Sequence, residues 1–131
     1  MTYFKQFISE KFPNISVVIE DDDKVCYGYL LNEEDIVSDV WIYNQAPTPK
    51  ETDWSDYDSL PFLNPKDFVK ENLSPFTEED IIEVSWIFKG EKIMADVLYF
   101  SRTVVRLVMG EFPGYSTLVK EDGPLAKILR E

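Results

Sequence analysis

The sequence contains no histidine and a single cysteine among its 131 residues. The absence of histidine excludes Ser–His–Asp and Cys–His catalysis, and it excludes every metal site that relies on imidazole ligands. With one cysteine, the chain forms neither an intrachain disulfide nor a zinc site built from thiolates. Cys26 shares a strand face with Gly28 and Leu30, so we interpret it as a small core residue. We therefore expect no metal and no cofactor.

Basic residues are also scarce, since 13 Lys and Arg residues stand against 25 Asp and Glu residues, and the net charge is −12. Phosphate binding needs clustered Lys and Arg, so this balance argues against a nucleic-acid partner. Residues 20–60 hold twelve acidic residues and two lysines, which concentrates the negative charge in the first half of the chain. A field of this sign favours encounter with a basic protein.

Long apolar runs are absent as well, because no window approaches the roughly 18 residues that a membrane-spanning helix needs. The first ten residues lack both the basic region and the continuous apolar stretch of a signal peptide. Hydrophobic residues nevertheless make up 44% of the chain and aromatic residues 15%, which is too apolar for a disordered chain. These features predict a single globular domain over residues 1–131, located in the cytoplasm and without a membrane partner.

The first third of the chain shows two kinds of periodicity. Apolar residues at spacings of three and four predict an amphipathic helix over residues 2–12, which Pro13 ends. Alternating patterns separated by polar turns then predict a meander of three strands at residues 15–20, 25–31 and 36–43.

Residues 44–80 are proline-rich and irregular, with little alternation. Asn64 and Pro65 have the capping chemistry of a short helix that runs to about Asn72. An irregular link of this length is unusual inside one domain and is often functional.

Regular alternation returns after Ile81 and predicts a second meander. The pair Gly90–Glu91 reads as a two-residue turn, so residues whose numbers sum to 181 are expected to face each other, with Trp86 opposite Ala95. A third strand over residues 103–109 follows a turn near Ser101, with Tyr99 expected opposite Thr103. The residues expected to be buried on one face of this sheet are Trp86, Val97 and Leu107.

The C-terminal part predicts short helices, one capped by Ser116 and another over Leu125–Arg130 after a break at Asp122-Gly123-Pro124. The fold class expected from this order is α+β: a mostly antiparallel sheet of about six strands in two three-stranded meanders, an N-terminal amphipathic helix and short C-terminal helices. The N-terminal helix is expected to pack on the sheet through Phe4, Phe7 and Ile8.

The second face of the second meander carries the row Ser85, Asp96 and Arg106, and its neighbouring rows are half apolar. Such a face is expected to be covered by the N-terminal helix, the link, a partner chain or a ligand. The Asp96–Arg106 pair is interpreted as a cross-strand ion pair. The alternative is a pocket in which Arg106 binds a carboxylate or a phosphate.

Acid–base catalysis by two carboxylates is the common enzyme mechanism that this composition leaves open. Asp39, Glu83 and Asp96 qualify by their positions on strands, but the spacing selects no pair among the acidic residues. We therefore assign no catalytic residue and favour a non-enzyme. The run Asp21–Asp23 departs from a calcium-loop pattern, and we interpret it as a solvated hairpin tip.

The link contains a segment in which aromatic and acidic residues alternate. Its candidate partner-binding residues are Trp54 and Tyr57 together with Asp53, Asp56 and Asp58. Aromatic side chains are typical anchors of protein interfaces, and surrounding charge speeds the approach of a partner of opposite sign.

The function predicted from these features is that of a non-enzymatic acidic binding protein with a basic protein as its partner. Its most concrete form is an inhibitor or immunity-type protein that neutralises a basic toxin, such as a nuclease, in the bacterial cytoplasm. The alternative is a small-molecule binding domain or enzyme that uses the second sheet face around Asp96 and Arg106. A further alternative is a homodimer closed by that same face.

Overall fold

The computed structural model describes residues 2–50 and 62–130, and these residues form two β-sheets and no helix. The first sheet has the order β1 (Tyr3–Ile8), β2 (Ile15–Asp21), β3 (Val25–Asn32) and β4 (Asp35–Asn44). The second sheet has the order β5 (Ile82–Lys89), β6 (Lys92–Tyr99), β7 (Arg102–Val108), β8 (Tyr115–Ser116) and β9 (Lys127–Ile128). The fold is therefore all-β, and the predicted α+β class is wrong.

The N-terminal segment is a strand rather than the predicted amphipathic helix. β1 pairs antiparallel with β2, with Phe4 opposite Glu20 and Ile8 opposite Ser16. Tyr3 is buried and packs edge-on against Phe76, whereas Phe4 and Ile8 are exposed instead of packing on the sheet. A short apolar run has no decisive periodicity, and here pairing with β2 overrides the helical spacing.

The predicted first meander is confirmed as β2, β3 and β4, which form antiparallel hairpins. Each turn contains one residue with a positive φ, Asp23 at 80° and Glu33 at 57°. The alternation places Val17, Leu30 and Val40 on one face, where each is completely buried. This inner face packs against the second sheet.

The predicted register between β5 and β6 is confirmed, with Trp86 opposite Ala95. Between β6 and β7 the turn is formed by Phe100 and Ser101, which both have positive φ, so Tyr99 lies opposite Arg102 and not opposite Thr103. A register shift between Val97 and Leu98 restores the expected pairing farther along the strands. Because that bulge adds one residue to β7, the predicted pairing is wrong only next to the turn, and Asp96 lies opposite Arg106 as predicted.

The predicted C-terminal helices are wrong. β8 pairs antiparallel with β7, and β9 pairs parallel with β8, so the C-terminal segment extends the second sheet. Ser116 has the expected capping hydrogen bond, since its Oγ accepts from the backbone N–H of Leu118 at 2.9 Å. The same local hydrogen bond is formed in turns, so a capping residue alone does not establish a helix.

The described part of the link is held by single turns and amide hydrogen bonds. The N–H of Phe68 donates to the carbonyl of Pro65 at 3.0 Å, but the turn does not continue as the predicted helix. Asn44, at the end of β4, exchanges hydrogen bonds with Asn64 and Asn72. The side chains of β4 thus anchor the link on the first sheet.

The core lies between the inner faces of the two sheets. Val97 and Leu107 are completely buried there as predicted, whereas Trp86 is only half-buried. Gly114 brings the backbones close together, because a Cβ at this position would lie 2.5 Å from the carbonyl oxygen of Arg106. No helix within residues 2–50 and 62–130 has the length and apolarity needed to cross a membrane.

Candidate functional site

The outer face of the first sheet points away from the core and combines apolar with acidic side chains. The pairing of the four strands places these residues on one surface, which we call the acidic face: Phe4, Ile8, Val18, Glu20, Tyr29, Leu31, Ile36 and Asp39.

The apolar part of the acidic face is unusually accessible. Phe4 is 61% exposed, Ile8 is 59% exposed and Ile36 is 50% exposed. A shallow depression of about 330 Å³ lies between them, lined by Val18, Glu20, Tyr29, Leu31 and Ile36. Phe4 and Ile8 lie on edge strand β1 and Ile36 lies on edge strand β4, with the half-buried Val18, Tyr29 and Leu31 between them. Single exposed apolar residues are normal on a protein surface, but several on one sheet face are typical of an interaction site.

Two acids, Glu20 and Asp39, lie on the acidic face itself, and the segment that forms its sheet is strongly negative. Residues 2–46 contain nine acidic and three basic residues. Partial burial raises the pKa of Asp39, and burial together with the nearby Glu20 and Asp39 raises the pKa of Tyr29 to about 12. Because these shifts reflect a poorly solvated negative site, a cationic group from a partner would stabilise ionised Asp39 there.

The two ends of the acidic face carry further exposed acids. Asp22 and Asp23 lie in the turn between β2 and β3, and Glu33 and Glu34 lie in the turn between β3 and β4. Successive hairpin turns lie at opposite ends of a meander, so both ends of the face are acidic.

One corner of the same outer face is covered by the link and is therefore not available to a partner. Trp41 points outward opposite Tyr27 but is completely buried, and the Tyr27 hydroxyl donates to the carbonyl of Phe62 at 2.8 Å. The outer face of the first sheet therefore has a buried corner around Trp41, under the link, and an accessible part, which is the acidic face.

The partner-binding residues predicted from the sequence, Trp54, Tyr57, Asp53, Asp56 and Asp58, lie outside the described residues. Their role stays a prediction from composition. The acidic face is formed by residues of β1, β2, β3 and β4 only.

The predicted row on the second sheet is confirmed, since Ser85 pairs with Asp96 and Asp96 pairs with Arg106. The guanidinium of Arg106 donates two hydrogen bonds to the carboxylate of Asp96, at 2.6 Å and 2.9 Å. The Asp96 side chain is 10% exposed and that of Arg106 is 32% exposed, whereas Ser85 is exposed. The planar, two-bond geometry fixes the guanidinium on the outer face.

The three carboxylates considered for acid–base catalysis are not brought together. Asp39 lies on the outer face of the first sheet, while Glu83 and Asp96 lie on the second sheet. Asp96 is held by Arg106, and Glu83 is exposed on its strand. Glu83 and Asp96 therefore occupy neighbouring rows of one sheet face, Asp39 is remote from both, and the ion pair with Arg106 engages Asp96.

The run Asp21–Asp23 is only partly the solvated tip that the sequence suggested. Asp22 and Asp23 are exposed, but Asp21 is buried and its carboxylate accepts hydrogen bonds from the Tyr43 hydroxyl and the Gln45 amide. Burial raises the pKa of the Tyr43 hydroxyl. Among the described residues no cluster has the composition of a metal site.

Cys26 lies in the core, as the sequence indicated. Its side chain is completely buried, and burial raises the pKa of the thiol well above its usual value. A protonated, inaccessible thiol is a poor nucleophile.

Sequence reasoning missed Phe4 and Ile8 as surface residues because it placed them on a buried helix face. A signal was present in the spacing, since Ile8 follows Phe4 by four positions, and residues an even number of positions apart share one face of a strand. That even spacing also fits a helix, so the sequence alone does not separate the two.

No protein-family model, curated protein or solved structure matches this chain. Its function is therefore inferred from the geometry and charge of the described surfaces.

Proposed function

We propose that this protein is a non-enzymatic binding protein that docks a basic protein on the acidic face. The observation that carries the proposal is the coincidence of accessible apolar side chains on one sheet face with the acids on that face and in the turns at its two ends. Exposed apolar groups supply binding energy when they are buried, and the charge selects a partner of opposite sign.

The size of the acidic face determines which further residues a docked protein would contact. Four strands at about 4.8 Å spacing and seven residues at about 3.3 Å rise give a face of roughly 400 Å². A standard interface buries about 800 Å² on each partner, so a docked protein would also contact the acidic turns at both ends. Those turns carry the exposed acids Asp22, Asp23, Glu33 and Glu34.

The narrower form of the proposal is an inhibitor that occupies the working surface of a basic enzyme, such as a nuclease. An inhibitor of this kind needs no catalytic residues of its own, and negative charge lets it mimic the substrate's phosphates. The carboxylates around the acidic face would supply that charge.

The test begins by capturing the partner with the immobilised full chain from lysate of the source cell. Wild type and the variant Ile36→Arg serve as paired baits, because an arginine there adds a positive charge at the β4 edge of the acidic face. A basic protein retained by wild type and lost from Ile36→Arg is then purified, and its binding is measured with pure components. A homodimer that Ile36→Arg dissolves would instead show that a second copy occupies the face, and would contradict the proposal.

For the apolar part, we expect Ile36→Ala to raise the dissociation rate of the purified complex about tenfold, because apolar anchors act mainly on dissociation. The matched control is Ile81→Ala, since Ile81 is 54% exposed, Ile36 is 50% exposed, and Ile81 lies next to β5 of the other sheet. Both variants are expected to keep the wild-type melting temperature. Equal dissociation rates for the two variants would remove the acidic face from the interface.

For the charged part, we expect the double variant Glu33→Gln, Glu34→Gln, in the exposed turn at one end of the acidic face, to slow association several-fold and to leave dissociation nearly unchanged, because rim charges act on the encounter. The control is Glu83→Gln, an exposed acid of the second sheet. Stopped-flow association rates at about 0.15 M and about 1 M salt, where the Debye lengths are about 8 Å and about 3 Å, give the readout. An association rate that is independent of salt in wild type would contradict electrostatic attraction.

A further inference from the structure

A second surface, on the outer face of the second sheet, has the opposite character. β6, β7, β8 and β9 border a cleft of about 450 Å³. Its lining includes four basic residues and two acidic ones: Lys92, Arg106, Lys127, Arg130, Glu111 and Asp122. In a protein of net charge −12, a cleft with surplus positive charge is a local exception.

The ionic contacts within the cleft show which charges are already neutralised. Asp96 holds Arg106 through two hydrogen bonds. Glu111 lies 3.3 Å from the Nζ of Lys92, and it also accepts a hydrogen bond from the Tyr115 hydroxyl at 2.5 Å. The hydrogen bond from Tyr115 and the contact with Lys92 lower the pKa of Glu111, so this carboxylate stays ionised.

Lys127 is the cation best placed to receive a ligand. Its Nζ lies 5.9 Å from the centre of the Tyr115 ring, and its side chain is half-buried on β9. Asp122 borders the same cleft, and its Oδ1 accepts a hydrogen bond from the backbone N–H of Ile128 at 2.8 Å. Attraction to the ring holds the ammonium group beside Tyr115, and both side chains line the cleft, so the positive charge is placed at the cleft.

The walls of the cleft between these charges are apolar. Met94, Val108 and the Tyr115 ring line it, whereas Ile128 packs on the core. A volume of this size is within the range of small-molecule sites, which typically combine apolar walls with a few placed polar groups. The occupant is therefore expected to carry an apolar body as well as a negative charge.

We propose that this cleft binds a small organic carboxylate, with the carboxylate at Lys127 and the apolar body against Met94, Val108 and the Tyr115 ring. A single negative charge matches the small surplus of positive charge in the lining, whereas a doubly charged phosphate would exceed it. The site is independent of the acidic face, because the outer faces of two packed sheets point away from each other.

The experiment titrates the isotope-labelled full chain with 4-phenylbutyrate and follows backbone amide shifts by NMR. We expect saturable shifts at residues that line the cleft and a dissociation constant on the order of 1 mM, a value typical of a ligand with about a dozen non-hydrogen atoms. Three probes separate the contributions: 4-phenylbutylamine has the same body with a positive charge, acetate has the charge without the body, and inorganic phosphate tests the other anion. Each is expected to bind at least tenfold more weakly.

The variant Lys127→Gln is expected to weaken 4-phenylbutyrate binding at least fivefold and Lys127→Arg to retain it. The matched control is Lys120→Gln, an exposed lysine of the C-terminal segment outside the cleft lining. The NMR spectrum and melting temperature of each variant show whether it is folded. Absence of saturable shifts in wild type, tighter binding of phosphate or of the amine, or equal effects of Lys127→Gln and Lys120→Gln would overturn the proposal.

Discussion

Replacing Trp41 with alanine is expected to lower the free energy of unfolding by about 3–5 kcal/mol, as large-to-small changes of buried aromatics do. Trp41 is completely buried. Its indole N–H donates to the Oδ1 of Asn44 at 2.8 Å, and its backbone N–H donates to the carbonyl of Leu125 at 3.0 Å. The substitution would therefore leave a cavity and remove one support of the asparagine that anchors the link.

Two control variants separate the cavity from the hydrogen bond. Trp41→Phe keeps most of the ring but not the donor, so we expect a loss of about 1–2 kcal/mol. Trp86→Ala is expected to lower the free energy of unfolding by less than Trp41→Ala does, because Trp86 is only half-buried on the inner face of β5. Urea unfolding followed by circular dichroism gives the values. A larger loss for Trp86→Ala than for Trp41→Ala would contradict the placement of the core.

The register of the second sheet could be predicted from the sequence because a two-residue turn and strict alternation determine it together. Gly90 has a positive φ of 61° in that turn, and the apolar face continues from Trp86 to Ala95 and Leu107. One misplaced residue would turn every apolar side chain to the wrong face, so the pattern is strongly constrained.

The terminal segments could not be predicted in the same way, because their structure depends on distant strands. Tyr3 is buried only because β1 pairs with β2 and Phe76 packs on its ring. Lys127 and Ile128 become a strand only because β8 offers them an edge. Local spacing and capping residues fit both a helix and these short strands, and tertiary pairing decides between them.

The candidate functional residues also differ in how far the sequence could predict them. Asp96 and Arg106 could be predicted as a pair because they belong to adjacent strands of one meander. The acidic face also depends on β1, which was predicted to be a helix. The cleft depends on Tyr115 and on Lys127, and Lys127 was predicted to lie in a C-terminal helix rather than in a strand of this sheet. Surfaces built from several distant segments need the topology before their residues can be grouped.

Replacing Arg106 with alanine is expected to lower the free energy of unfolding by about 2–3 kcal/mol. The variant leaves the carboxylate of Asp96, whose side chain is 10% exposed, without its two-bond partner. Removing one member of a fully buried pair costs about 3–5 kcal/mol, and the value here is smaller because the Arg106 side chain is 32% exposed.

The matched control for that substitution is Arg102→Ala. Arg102 pairs with Glu71 through two hydrogen bonds of 3.2 Å and 2.9 Å, but both side chains are nearly half-exposed, at 47% and 46%. Water replaces such a partner, so we expect a loss of at most about 1 kcal/mol. A double-mutant cycle of Arg106→Ala and Asp96→Ala, measured by urea unfolding, should give a coupling of about 1–3 kcal/mol. Equal losses for Arg106→Ala and Arg102→Ala, or no coupling in the cycle, would show that burial of Asp96 adds nothing to the ion pair.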